Sequence, residues 1–159
     1  MYNSYISSPV GLIKLQCNES GITAVSFWNE GKSYSDEHPI LIQCQRELEE
    51  YFDGHRKTFT VPLQYAGTPF QTKVWTALQN IPYGKTVSYM ALSKTLGDIK
   101  AIRAVGGANG RNTIAIIVPC HRVIGSNAKL TGYAGGIWRK QWLLEHESKI
   151  HNGLQTIPF

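Results

Sequence analysis

Long apolar runs are missing from this chain of 159 residues. No stretch reaches the roughly 18 consecutive apolar residues of a membrane-spanning helix. Met1-Tyr2-Asn3-Ser4 carries no basic flank ahead of an apolar core, so no secretory leader is expected either. Cysteine is sparse: Cys17, Cys44 and Cys120 are odd in number and widely spaced. They form no Cys-x-x-Cys pair, and no histidine stands at zinc-ligand spacing beside them, which argues against a disulfide scaffold and against a metal site. The expectation is reduced thiols in a cytoplasmic protein without metal or cofactor. Internal repeats and low-complexity tracts are absent as well. Acidic residues are scarce in one half only. Residues 1–68 hold five Lys/Arg against eight Asp/Glu, a net charge of −3, whereas residues 69–159 hold eleven against Asp98, Glu145 and Glu147, a net charge of +8. Such a bias suits a surface that meets phosphates, and equally a basic face kept for solubility.

What is present divides into two patterns. Hydrophobic residues make up 42% and charged residues 17% of the chain, enough to bury one ordinary core or two small ones. Ile13, Leu15 and Cys17 alternate with Lys14 and Gln16, and a second strand-like run covers residues 22–27. With turns at Pro9-Val10-Gly11 and Glu19-Ser20-Gly21, these make a small antiparallel sheet. From Pro39 to Phe52, Ile40, Cys44, Leu48, Tyr51 and Phe52 fall at helical spacing ahead of a stop at Asp53-Gly54, which makes Cys17 and Cys44 core residues. A short strand is expected at Phe59-Thr60-Val61.

Charge sign and periodicity both change at Gly67-Thr68-Pro69, which divides the chain into residues 1–68 and 69–159. Beyond it, Phe70, Val74, Leu78 and Ile81 form one helical stripe closed by Pro82-Tyr83-Gly84. Ser88 caps a second helix carrying Met90-Ala91-Leu92 and Leu96 and ended by Gly97. A third segment runs from Ile99 to Gly106 with Lys100 and Arg103 on its polar side. This is helix-turn-helix spacing, although helix pairs joined at a glycine also serve as plain packing motifs. A last helix near residues 137–146 buries Trp142 and Leu143-Leu144 and turns Arg139-Lys140 outward. The fold class is α+β.

The chemistry concentrates in Pro119-Cys120-His121-Arg122-Val123. Ile114-Ala115-Ile116-Ile117-Val118 reads as a short buried segment, and Pro119 has no N–H to donate, so regular structure ends just before Cys120. The sulfur is then presented at a segment end beside an imidazole. The thiolate is the nucleophilic form of cysteine and its ordinary pKa is about 8.5, so an adjacent base raises its fraction near neutrality. On these residues alone, a buried structural cysteine beside a surface histidine stays open.

Gly106-Gly107-Ala108-Asn109-Gly110-Arg111-Asn112, the run from Pro119 to Val123, and Gly132-Tyr133-Ala134-Gly135-Gly136 resemble the O6-alkylguanine-DNA alkyltransferases. Pro82-Tyr83-Gly84, Val87-Ser88-Tyr89 and Trp142-Leu143-Leu144-Glu145-His146-Glu147 extend the match across residues 69–147. Ser8-Pro9-Val10-Gly11 is similar to the family's N-terminal domain, and the stand-alone bacterial type, without a zinc-binding phosphotriester domain, is the variant resembled. The resemblance implies a ribonuclease-H-like first domain of sheet and helix, then a helical winged helix-turn-helix domain that binds DNA. It implies direct reversal of damage: Cys120 takes a methyl or larger alkyl group from O6 of guanine, with O4 of thymine a second substrate, and the protein is consumed. His121 would be the base, acting through a water, Glu147 would orient and stabilise its imidazolium, and Asn112 would hold the turn into an active-site strand.

The implied partner is double-stranded DNA containing O6-alkylguanine, met by a monomer with no membrane association. A thiolate cannot reach O6 inside a stacked duplex, so the base must be flipped out. Arg103 would fill the gap, and Tyr89 would meet guanine N3 and crowd the flipped nucleotide's phosphate. The carbonyls of Cys120 and Val123 would accept from the exocyclic amine, while Tyr133 and the Ala134 amide would line the O6 side. Ala104, Gly106, Asn109 and Arg111 complete the implied substrate- and DNA-contacting set. Four positions depart from the family pattern: Ala115 where some members have proline against the base, Ala134 where others have serine, Asn109 where some have methionine, and Thr113 where proline is frequent. The room left by Ala115 implies acceptance of alkyl groups larger than methyl. Three other readings compete. Alkyltransferase-like proteins lack the reactive cysteine that Cys120 supplies, a cysteine hydrolase would turn over repeatedly, and a winged-helix regulator would leave Cys120 inert.

Overall fold

Alternation of apolar and polar residues builds the N-terminal sheet. In the computed structural model, which describes residues 1–125, 130 and 132–152, β1 (Tyr2–Ser8), β2 (Gly11–Cys17) and β3 (Ile22–Phe27) pair antiparallel in that order. Ile6 lies opposite Ile13 and Leu15 opposite Val25, and all four are buried, the cross-strand pairing that stabilises a sheet with one covered face. β2 and β3 are the two strands that alternation predicts. β1 carries a more polar pattern and joins through its ladder with β2. Helix α1 (Pro39–Phe52) starts with proline at its first position, where the missing N–H costs nothing, and His38 Nδ1 accepts from the Ile40 amide at 3.1 Å. The helix buries Leu41, Cys44, Leu48 and Tyr51, while Ile40 and Phe52 stay half-exposed. Cys17 and Cys44 are core thiols, and burial pushes both up.

The strand expected at Phe59-Thr60-Val61 does not form. Glu47, fully buried on α1, accepts from the Thr60 amide at 2.8 Å, the Val61 amide at 3.1 Å and the Thr60 hydroxyl at 2.7 Å, so a side chain occupies the donors that a strand would have paired. Burial raises the Glu47 carboxyl, but these hydrogen bonds outweigh it and the net direction is down.

Contacts divide the chain into Met1–Ala66 with Thr113–Ile117, and Gly67–Asn112 with the chain from Val118 onward. The expected division at residue 68 is a single cut in sequence; the structure adds an excursion. Val25 N donates to Thr113 O at 3.0 Å and Ala115 N donates to Val25 O at 3.1 Å, which returns this short segment to the first unit's sheet. The active-site strand implied there is replaced by one bridge at Ile114 followed by turns. Ile116 has φ 71, and Ile117 N donates to Ala115 O at 2.8 Å, the strained γ-turn that a buried β-branched residue rarely adopts.

The second unit begins with a reciprocal cap. Thr68 Oγ1 accepts from the Gln71 amide at 3.1 Å and Gln71 Oε1 accepts from the Thr68 amide at 3.0 Å, opening α2 (Pro69–Leu78). Trp75 is buried and donates through Nε1 to Ala108 O at 2.8 Å, and a Cβ on Gly67 would stand 2.6 Å from its ring, so that approach requires glycine. Ser88 Oγ accepts from the Ala91 amide at 3.0 Å and caps α3 (Tyr89–Thr95). Asp98 starts a 3-10 turn (Ile99–Ala101) that leads into α4 (Ile102–Gly110), and α3 and α4 pack as the helix-turn-helix spacing predicts. α4 runs past the expected end at Gly106, because Ala108 and Asn109 continue the buried stripe begun by Val105. β4 (Val87–Ser88) pairs parallel with β5 (Val123–Ile124). The last helix, α5 (Ile137–His151), extends beyond residue 146 and buries Lys140, Leu143, Glu147 and Ile150. Lys140 thus faces inward, a correction to the outward pair expected at Arg139-Lys140. Among the described residues no helix is long and apolar enough to cross a membrane.

Candidate active site

Proline sets the chain direction at Cys120. Pro119 has φ −82 and ψ 63, the inverse γ-turn that its ring allows, and Cys120 N donates to Val118 O at 2.8 Å. A 3-10 turn, Cys120–Arg122, follows and carries the next three side chains. Asn112, just past α4, donates from Nδ2 to Val118 O at 2.8 Å and to Cys120 Sγ at 3.2 Å, holding both ends of the turn with one amide. Cys120 is 7% exposed. Burial pushes its thiol up, and the Asn112 bond and the Lys140 charge pull it partly back. The net direction is up, which favours the thiol over the thiolate.

His121, next to Cys120 in the turn, is held by a buried carboxylate. Burial alone would raise the Glu147 carboxyl, but the charge His121 carries when it is protonated, the hydrogen bonds from His121 and Arg122, and the Arg122 charge hold it well below the usual carboxylate range. As an anion Glu147 can only accept, so the 2.7 Å contact between His121 Nε2 and Glu147 Oε2 has the imidazole donating. In the neutral ring this puts the proton on Nε2 and makes Nδ1 the accepting nitrogen, a buried atom with no hydrogen-bond partner among the described residues. α5 brings Lys140, Leu143 and Glu147 to one helical face by their spacing. Lys140 Nζ donates to Val123 O at 2.7 Å, and Asn109 Nδ2 donates to Cys120 O at 3.4 Å. Both carbonyls expected to meet a guanine amine thus have protein partners already, and a carbonyl's second lone pair is what such a base could use.

Of the residues expected at DNA, Tyr89 lies on α3 and Arg103, Ala104, Gly106 and Asn109 lie on α4. Tyr89, Arg103 and Gly106 line one cleft together with Ile102 and Gly132. Arg103, Ala104 and Arg111 are exposed, whereas Asn109 is on the buried face of α4 and bonded to the Cys120 turn, so it supports the site rather than facing solvent. Ala134 is exposed, and Tyr133 is half-exposed with its phenol pushed well up, first by burial and then by the charges of Cys120 and Glu147. Val123 is fully buried.

Residues 69–149 match the family described as 6-O-methylguanine DNA methyltransferase, DNA binding domain, and residues 1–65 match its ribonuclease-like domain. This chain belongs to the 6-O-methylguanine DNA methyltransferase family. It is 48% identical over 153 residues to a methylated-DNA–protein-cysteine methyltransferase of Methanosarcina acetivorans, across 92% of this chain and 98% of the relative. The constitutive enzyme of that name from Bacillus subtilis is 46% identical over 143 residues, across 84% and 87%. A crystal structure of the Mycobacterium tuberculosis enzyme in complex with DNA superposes with a TM-score of 0.86 at 43% identity, covering 94% of each chain.

Arg122 and Lys140 are buried in this candidate site although sequence reasoning led to no expectation for them there. Arg122 is 6% exposed and forks onto Glu147, Nε to Oε1 at 2.7 Å and Nη2 to Oε2 at 3.0 Å, with Nη1 on the Ile81 carbonyl at 2.8 Å. The signal for Lys140 lay in the helical spacing to Leu143 and Glu147, which outweighs the usual exposure of a lysine.

Proposed function

We propose that the protein repairs alkylated DNA by direct reversal, moving one methyl or larger alkyl group irreversibly from O6 of guanine to Cys120. Residues 69–159 carry the reaction and residues 1–68 form a structural domain. O4-alkylthymine is a second substrate of the same reaction. The damaged base leaves the stack first, with Arg103 taking its place and Tyr89 crowding its phosphate. His121 Nδ1 receives the thiol proton through a water, and Glu147 stabilises the imidazolium. The sulfur attacks the alkyl carbon in line. A C–S bond forms as the C–O6 bond breaks, and the electron pair passes into the guanine ring, which regains a proton. The thioether is not hydrolysed, so each molecule acts once. A monomer acting on double-stranded DNA in the cytoplasm, without a cofactor, belongs to this reading.

The observation that carries it is the 2.7 Å bond from His121 to an ionised Glu147, which leaves Nδ1 of the neutral ring free to accept on the residue that follows a buried cysteine whose thiol burial pushes up. Incubation with excess duplex containing O6-methylguanine tests it: repaired lesions should plateau at one per protein molecule. Continued turnover would instead indicate a hydrolase-like enzyme. Free O6-benzylguanine should also be dealkylated, and failure with it while methylated duplex reacts would restrict the reading to methyl groups.

A further inference from the structure

None of the steps above uses Arg122. Its guanidinium occupies both oxygens of Glu147, and Glu147 Oε2 is the same atom that accepts from His121 Nε2. One buried carboxylate is therefore divided between a permanent cation and an imidazole. With Arg122 in place, a neutral His121 completes a buried cluster of zero net charge. Without it, the Glu147 carboxylate would lose the guanidinium that shares its charge, and the attraction it exerts on a proton at His121 would grow. An imidazole that carries protons on both nitrogens cannot take one from Cys120.

We infer that Arg122 is a positioning residue that sets the proton affinity of the His121 base by sharing the Glu147 carboxylate, so that the imidazole stays neutral at the pH of repair. This rests on the role given to His121 in the proposed function. Other titratable groups face the cluster. Cys120 lies on the same turn, Tyr83 follows α2 with its ring 5.6 Å from the Arg122 guanidinium, Tyr133 precedes α5, and Arg139 and Lys140 lie on α5. Glu145 lines the same cleft as Glu147 from α5. Burial pushes Tyr83 up to about 12 and Tyr133 well up, so neither tyrosine titrates near neutrality. Lys140 donates to Val123 O and its charge acts on Cys120, while Arg122 is bonded to Glu147 through both oxygens.

The test is a pH titration of the His121 ring by nitrogen NMR on protein labelled at histidine, with the rate of alkyl transfer measured over the same pH range. Arg122→Gln should raise the His121 titration by about one unit or more. The acid limb of the rate should move up with it, so that activity lost at neutral pH returns as pH is raised. Arg122→Lys keeps the charge but not the fork, and should move both by about half a unit. An unmoved ring titration with the same fractional rate loss at every pH would overturn the inference, as would an acid limb that moves down. Should Arg122→Gln fail to fold, Arg122→Lys decides by the same two readouts. If the unaltered protein moves no alkyl group to Cys120, the proposed function fails, while the ring titration, which needs no substrate, still judges Arg122.

Discussion

Asn112 and Glu147 each do work that a single substitution isolates. Removing the Asn112 amide takes a hydrogen bond from the sulfur, and a bond to a charged group is worth about 1.5–3 kcal/mol. Asn112→Ala should therefore raise the Cys120 titration by about one unit or more, read from the pH dependence of its alkylation by iodoacetamide with Cys17 and Cys44 changed to serine. An unmoved inflexion would remove Asn112 from thiolate stabilisation. Glu147 has a folded-state pKa depressed below its unfolded value, so the stability it lends is complete above the ordinary carboxylate pKa of about 4.3 and is lost as pH falls below it. Glu147→Gln leaves Arg122 as an unpaired buried cation and should cost about 3–5 kcal/mol near neutrality, with the gap to the unaltered protein narrowing on acidification. Urea midpoints across the pH range check this, and a gap independent of pH would contradict it. At this scale Cys120 and His121 are legible because they are neighbours. Glu147 was reachable only through the family resemblance, since nothing local distinguishes it from an exposed acid on the last helix.

Helices were readable where spacing and caps agree. Pro39–Phe52 and the Ser88-capped helix stand where the apolar stripe and the cap place them. The capping box at Thr68 gives an element-level test: Thr68→Ala should cost about 1 kcal/mol, measured as a urea midpoint, with the rate of alkyl transfer unchanged. A larger loss, or a lost reaction, would mean that the cap does more than start α2. The elements that escaped reading depend on contacts distant in sequence. The donors of residues 60 and 61 are taken by Glu47 on α1, and residues 113–117 return to β3. β4 and β5, two residues each and paired in parallel, are too short to leave an alternating pattern.

For the whole molecule, the uneven charge is the property with the widest reach. Residues 69–159 carry a net charge of +8, and roughly one counterion is released per phosphate contacted, so affinity for undamaged duplex should fall steeply with salt. A salt-independent affinity would take the basic half out of the interface. Arg103, exposed on α4, should matter only when a base must leave the stack. Arg103→Ala should slow repair in duplex far more than dealkylation of free O6-benzylguanine, and equal losses would refute its assignment. The account as a whole depends on where the alkyl group ends. Its most direct test is peptide mass spectrometry after incubation with duplex holding one O6-methylguanine. The account predicts a gain of one CH2 on the peptide containing Cys120, kept when Cys17 and Cys44 are serine and absent in Cys120→Ser. Binding of the lesion with no change in mass, or a methyl group on another residue, would contradict it.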